Sequence, residues 1–372
     1  MRILKLLTKK LREHLSQPAH WVDALVVFVP VAIILALAHG NETTIFVTAA
    51  LGIVPLAGFL GEATDALSER VGQQAGALLN ATFGNAAELI ITIAAIRAGL
   101  LEVVKASITG SIVGNILLVL GLSLLAGGIK NGLQKFSLRR ASVSVTTMVL
   151  AVIALVIPAL FGFSQEGGHE LVVTENLSIG VSLALMVGYG LTILYTFRMG
   201  RSEEVSEAEE ETDGVHFEKW NVRTALGVLF VAVVFIAILS EILVEAVEPL
   251  IRAQGLTELF VGVIIVPIIG NAAEHLVAVE MAWKNKAELS LGIAMGSSVQ
   301  IALFVAPLLV FIALALGQPM TLLFNPVELA ALGASVVIAA LIALDGESNW
   351  LEGAQLLLVY VILALAFFFL PA

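Results

Sequence analysis

The chain has 372 residues, of which 59% are hydrophobic and 13% charged, with a mean hydropathy of +1.00. A soluble domain is about a quarter charged, so this composition excludes one and fits a polytopic membrane protein with room for roughly ten or more spans of about 20 residues. Cysteine is absent, which excludes disulfides, thiolate metal sites and redox switches. The net charge of −11 is largely local, since seven acidic residues lie between Glu203 and Asp213.

Met1 to Pro18 is amphipathic and basic, with Arg2, Lys5, Lys9, Lys10 and Arg12. It lacks the ordered apolar core and cleavage site of a signal peptide and reads as a surface helix on anionic lipid or as a basic tail. Apolar runs then predict eleven spans, at 21–39, 44–66, 75–98, 102–128, 139–162, 174–198, 220–248, 257–283, 287–316, 326–344 and 350–371. With the N-terminus cytoplasmic, 16 of the 19 Lys and Arg residues fall on inner segments. Only Arg97, Lys105 and Arg252 fall outside, as the positive-inside rule requires. Trp21, Trp220, Trp283 and Trp350 all land at inner span ends, where an aromatic belt would place them.

Two of these spans share a motif. Gly84-Asn85-Ala86-Ala87-Glu88 recurs as Gly270-Asn271-Ala272-Ala273-Glu274, an offset of 186 residues. At the same offset Gly76 matches Gly262, Glu102 matches Glu288, and Gly110-Ser111 matches Gly296-Ser297. The predicted fold is an all-α polytopic membrane protein of about eleven transmembrane helices, two inverted five-helix repeats plus an extra N-terminal helix. The amphipathic segment and first helix occupy 1–43, the first repeat 44–198, an acidic cytoplasmic linker 199–219 and the second repeat 220–372. An odd number of helices per repeat turns the second upside down. Glu88 and Glu274 then lie on antiparallel spans and meet near the midplane.

A carboxylate in mid-membrane costs at least ~2.5–3.5 kcal/mol, so two in equivalent frames need a shared cause. Asn85 and Glu88 share one helix face, as do Asn271 and Glu274. The glycine ahead of each pair lets helices approach or the backbone unwind, freeing carbonyls. Carboxylate, carboxamide, carbonyl and hydroxyl form an all-oxygen set suited to a hard cation such as Ca2+, whereas soft-metal chemistry has no ligands here. The following span in each half adds Ser111 and Asn115, and Ser297 and Gln300, the two carboxamides being one position out of register. Gly110, Gly114 and Gly296 serve close helix contact or the site.

Further intramembrane acids are Glu62, Asp65, Glu241, Glu245 and Glu248. Glu62 pairs with Glu248 without gaps, or with Glu245 or Glu241 after a small shift, and at least one of them is expected to line an ion or proton path. Glu280 reads as interfacial. His275 either relays protons or is a neutral hydrogen-bond partner of Glu274. The linker acids Glu203, Glu204, Glu207, Glu209, Glu210, Glu211 and Asp213 form a solvated tether or a cation-sensing surface, without EF-hand spacing. No P-loop, His-Glu-x-x-His or Gly-x-Ser-x-Gly motif is present, so the chain reads as a non-enzyme without cofactor. Its expected partners are the transported ions and the lipid bilayer, with no nucleic acid and a homo-oligomer left open.

Asn80 to Gly121 (NATFGNAAELIITIAAIRAGLLEVVKASITGSIVGNILLVLG) and Pro267 to Pro307 (PIIGNAAEHLVAVEMAWKNKAELSLGIAMGSSVQIALFVAP) resemble the two signature repeats of the Ca2+/H+ exchanger family of the cation/Ca2+ exchanger superfamily. The Gly-Thr-Ser-x-Pro-Glu pattern typical of sodium/calcium exchangers is absent. The resemblance implies a secondary active transporter exchanging Ca2+ for protons by alternating access, with Glu88 and Glu274 binding either competitively. Mn2+/H+ exchange, Na+- or K+-coupled Ca2+ exchange and a passive cation channel are the alternatives. The short N-terminus leans toward a prokaryotic plasma membrane.

Overall fold

The computed structural model describes residues 18–71, 76, 79–80, 82–164, 170–211 and 220–370. The expected surface helix at the start of the chain falls outside them. In lipid every backbone N–H and C=O must be satisfied internally, so apolar runs of this length become helices. They are α1 (Phe28–Leu37), entered through a 3-10 stretch from Pro18, α2 (Glu42–Val71), α3 (Ala86–Arg97), α4 (Leu101–Asn131), α5 (Leu138–Phe161), α6 (Val173–Tyr195), α7 (Val222–Gln254), α8 (Glu258–Gly270), α9 (Ala272–Trp283), α10 (Ala287–Ala315), α11 (Pro326–Ile342) and α12 (Trp350–Phe369). Gly255 closes α7 in the left-handed conformation, with φ of 65°.

Among the described residues seven helices are long and apolar enough to cross a membrane, and α8 with α9, bent by 63° at their junction, form an eighth candidate. Val22–Leu37 and Pro326–Ile342 are shorter apolar helices. The expected third span is described mainly from Ala86 onward. Elsewhere the expected limits hold closely: α4 and α10 begin at Leu101 and Ala287, against expected starts of 102 and 287.

The duplication is visible in the backbone. α3 and α9 coincide residue for residue at the 186 offset, and so do the starts of α4 and α10. Each of the latter carries a π-helical turn at matching height, Gly114–Val119 in α4 and Ile301–Val305 in α10.

Side-chain contacts fix the relative directions. Arg97, at the end of α3, pairs with Glu241 of α7 at 2.9 Å. Trp283, at the end of α9, lies beneath Lys130 near the end of α4, and its carbonyl accepts from Asn131 Nδ2 at 3.3 Å. α4 starts just after α3 and runs 31 residues to Asn131, about 46 Å at 1.5 Å per residue. The ends of α3 and α9 are therefore on opposite faces, and the equivalent helices run antiparallel.

One face gathers Lys130, Trp283, the Arg140–Glu288 ion pair at 3.0 Å and a short antiparallel bridge between β1 (Gln134–Lys135) and β2 (Glu347–Ser348). This is the basic face. The opposite face holds Arg97, Lys105 and Arg252, each in an ion pair. The spans bearing Ser111 and Ser297 are the most enclosed, α4 at 72% and α10 at 61% buried, whereas α6 and α12 at 17% and 22% form the rim that meets lipid. Ile108, Ile112, Ile116 and Leu117 of α4 are fully buried at the centre. α2 packs along α7, with α1 against both.

Candidate cation site

α3 and α9 both start deep inside the molecule, after a break at Asn85 (φ −98°, ψ 17°) and Asn271 (φ −107°, ψ 8°). An asparagine there would ordinarily cap its helix, and Asn-x-x-Glu can close a reciprocal capping box. The chain does so elsewhere: Asn325 with Glu328 at α11 and Asn349 with Glu352 at α12. At α3 and α9 neither asparagine caps. Both send their side chains across to the other half.

The result is a crosswise network. Glu88 Oε1 accepts from Ser111 Oγ, and Ser111 Oγ accepts from Asn271 Nδ2 at 3.2 Å. In the other half Ser297 Oγ donates to Glu274 Oε2 at 2.6 Å and lies 3.3 Å from Asn85 Oδ1. Each glutamate thus contacts the serine of its own half, and that serine meets the asparagine of the opposite half. Asn85 Nδ2 also donates to Gln300 Oε1 at 2.7 Å. Each motif glycine lies against the glutamate of the opposite half: a Cβ on Gly84 would be in ordinary contact with Glu274 Oε1 at 3.7 Å, and one on Gly270 with the Glu88 Cβ at 3.6 Å.

Asn85, Glu88, Ser111 and Asn271 are 1–2% exposed. Glu88 Oε2 and the Asn115 amide nitrogen are buried without a hydrogen-bond partner. Such groups are costly unless a ligand or counter-ion satisfies them. Among the described residues no three His, Asp or Glu side chains converge on one point. A cation here would have two carboxylates supplemented by amide and hydroxyl oxygens, a donor set that suits a hard ion.

The two glutamates differ in access. A cavity of about 1080 Å3 runs from Arg140 and Trp220 at the basic face to Glu274, Ser297 and Gln300. Its walls carry Glu62 and Asp65 of α2, Glu280 of α9 and Glu288 of α10. Glu88 does not line it.

The other sequence candidates divide. Glu62 lines the cavity, whereas Glu241 is exposed in its pair with Arg97 and Glu245 is exposed on α7. Glu248 pairs with Arg252 at 3.1 Å. Glu280 is more than interfacial: paired with Lys284 at 2.6 Å, it also faces the cavity. His275 is half-buried, and Glu274 accepts from Ser297 rather than from it. The backbone stays helical through Glu211, but the side chains of Glu203, Glu204, Glu207, Glu209, Glu210 and Glu211, and all of Asp213, lie outside the described residues. Asp65, named by sequence only among the further intramembrane acids, lines the cavity one turn from Glu62; their spacing of three was the available signal. The one-position mismatch of Asn115 and Gln300 coincides with the onset of the two π turns.

A family model described as sodium/calcium exchanger protein matches residues 42–198 and 224–369. The chain belongs to the sodium/calcium exchanger protein family. The two matched segments of this exchanger family run from α2 to α6 and from early α7 to α12, leaving α1 and the acidic linker outside. A Ca(2+)/H(+) antiporter of Aphanothece halophytica is 46% identical over 359 residues, covering 93% of this chain and 96% of that protein. The Ca(2+)/H(+) antiporter ChaA of Bacillus subtilis is 41% identical over 343 residues, covering 92% and 97%. Among solved structures, native YfkE aligns with a TM-score of 0.82 and 40% identity over 94% of this chain and all of that one. The H+/Ca2+ exchanger CAX, at 16% identity and a TM-score of 0.70, shares the fold.

Proposed function

We propose that this exchanger-family protein is a secondary active transporter that moves Ca2+ against H+, with Glu88 and Glu274 binding the two competitively. The observation that carries this reading is the crosswise site itself: two intramembrane carboxylates from antiparallel helices, each in a hydrogen-bonded set that draws on both halves, of which only Glu274 borders the open cavity. The 46% and 41% identical relatives that bear the name Ca(2+)/H(+) antiporter support the choice of ions.

Two desolvated carboxylates cannot both stay charged without a counter-cation. Proton loading neutralises them, and Ca2+ entering from the cavity displaces those protons into it. Two protons per Ca2+ make the exchange electroneutral. Ser111 and Ser297 keep each carboxylate aimed at the centre, and Asn85 and Asn271 couple the halves so that one site serves both faces in turn. The sealing of Glu88 from the cavity favours alternating access over a passive channel, which needs a continuous path. An all-oxygen site also accommodates Mn2+, so Mn2+ is the alternative substrate.

The basic face is assigned to the cytoplasm of a prokaryotic plasma membrane, with the N-terminus and acidic linker on that side. Each half, 44–198 and 220–372, forms one repeat. The test is 45Ca2+ uptake into everted vesicles with an imposed pH gradient, with Mn2+ and Na+ as competitors. Uptake is expected to require the gradient and to gain apparent Ca2+ affinity as pH rises, by up to about tenfold per displaced proton per pH unit. Equal uptake without a gradient would establish a channel instead.

A further inference from the structure

The opposite face contains a very small void of about 10 Å3 between α3, α4, α7 and α8. Moved by 186 residues, eight of its eleven lining positions fall on the lining of the large basic-face cavity. On its α7 side Leu243, Val244 and Val247 correspond to Ala57, Gly58 and Gly61 of α2. Facing them, Ile91, Ala95 and Ser107 correspond to Val277, Met281 and Ile293. The small void and the 1080 Å3 cavity are therefore one feature built twice, collapsed at one face and open at the other.

Packing around the two differs in the same sense. A Cβ on Gly110 would overlap the backbone of Val263, and one on Gly262 would overlap the side chain of Ala106, so α4 and α8 touch backbone to backbone on the collapsed side. On the open side Gly292 and Gly296, the counterparts of Ala106 and Gly110, have nothing within 4 Å of such a Cβ.

One ion pair joins two of the helices that line the collapsed seam, although neither of its residues lines the void itself. Of the three basic residues on that face, Lys105 and Arg252 pair with acids of their own helices, Glu102 and Glu248. Arg97 alone among them pairs across, from the end of α3 to Glu241 of α7, at 2.9 Å. The counterparts of Arg97 and Glu241 at the basic face are Trp283 and Pro55, which cannot form such a pair.

We propose that the seam between α3 and α7 is the closed opposite-face vestibule of the ion pathway, and that the Arg97–Glu241 pair joining these helices is the latch that holds it shut. The inference rests on the alternating-access reading of the same site. Opening the seam separates α7 from α3 and exposes Leu243, Val244 and Val247, so the α7 wall of the exit vestibule is apolar where the basic-face vestibule is acidic. Absence of a counterpart latch leaves the basic face as the one open at rest.

The native chain has no cysteine, so single cysteines report cleanly. Val247→Cys in the seam, with Val244→Cys as its alternate, and Gly61→Cys in the cavity are to be labelled by a membrane-impermeant maleimide added to one face of sealed vesicles of known orientation, without Ca2+ and at equal pH. Arg97→Gln should raise seam labelling from the opposite face and lower Gly61→Cys labelling from the basic face by about two- to fivefold, the scale of an exposed ion pair. The exchanged pair Arg97→Glu with Glu241→Arg should restore both rates. Unchanged rates at both seam positions in folded Arg97→Gln protein would overturn the proposal, and so would failure of the exchanged pair to restore them. The labelling requires no transport: a wild-type protein without pH-driven Ca2+ uptake but with these shifts intact would sink the exchange reading and leave the latch standing.

Discussion

Asn85, just ahead of α3, donates to Gln300 of α10 at 2.7 Å, a bond that the duplication does not repeat. The counterpart of Gln300 is Gly114, which has open space where a side chain would go. The two halves are alike in their carboxylates and serines and unlike in this one carboxamide.

Gln300→Leu should therefore injure the site through Asn85, whose buried amide would lose its acceptor at a cost of about 1–3 kcal/mol. Apparent Ca2+ affinity in vesicle uptake is expected to fall by about five- to 150-fold, with the folded yield retained. An affinity within about twofold of wild type would contradict the role given to this bond.

Glu88→Gln and Glu274→Gln should each abolish pH-driven Ca2+ uptake while leaving the protein inserted and folded, because glutamine keeps the shape and removes both the charge and the titratable proton. Access separates the two. A water-soluble carboxyl reagent applied at the basic face should reach Glu274, which lines the cavity, and spare Glu88, which is 2% exposed. Mass spectrometry of the labelled peptides decides this, and modification of Glu88 at the faster rate would reverse the assignment.

Equivalent glycines should respond differently to the same substitution. Gly110→Ala forces a methyl group into the Val263 backbone, and overpacking of this kind costs about 1–3 kcal/mol. Gly296→Ala meets open space and should leave thermal stability in detergent close to wild type. Equal melting temperatures for the two variants would mean that the α4–α8 contact is not as tight as described.

Topology is tested with the same cysteine-free background. Cysteines near the N-terminus and in the Glu203–Asp213 linker should label from the basic face, and one at the C-terminus from the opposite face. Labelling of both termini from one side would require an even number of crossings.

Much of this was legible in the residues. Long apolar runs locate α2, α4, α5, α7 and α10 because lipid leaves the backbone no alternative to helix, and the Gly-Asn-Ala-Ala-Glu duplication places Glu88 opposite Glu274. What sequence could not supply depends on partners distant along the chain. Glu241 reads from sequence as one of several intramembrane acids, and nothing local marks its partner Arg97, 144 positions away. The asymmetry between the open cavity and the collapsed seam is a property of one conformational state, and equivalent residues in an inverted repeat carry no mark of which copy is open. The π turns of α4 and α10 were not foreseen from the residues.

The four helix starts whose N-cap asparagine is followed three residues on by glutamate have a consequence for biogenesis. Those of α11 and α12 close upon themselves and can form as soon as the ribosome releases them. Those of α3 and α9 leave their first turns uncapped, because each asparagine is committed to residues of the other half. When only the first half has been synthesised, α3 carries a carboxylate and an uncapped helix end within the bilayer, and the residues that satisfy Asn85 still lie some 200 codons downstream, at Ser297 and Gln300. The first half must therefore wait in the membrane, shielded by its own helices or by the insertion machinery, until α10 arrives. Maturation of the pathway is in this sense a single late event rather than the sum of two independent insertions.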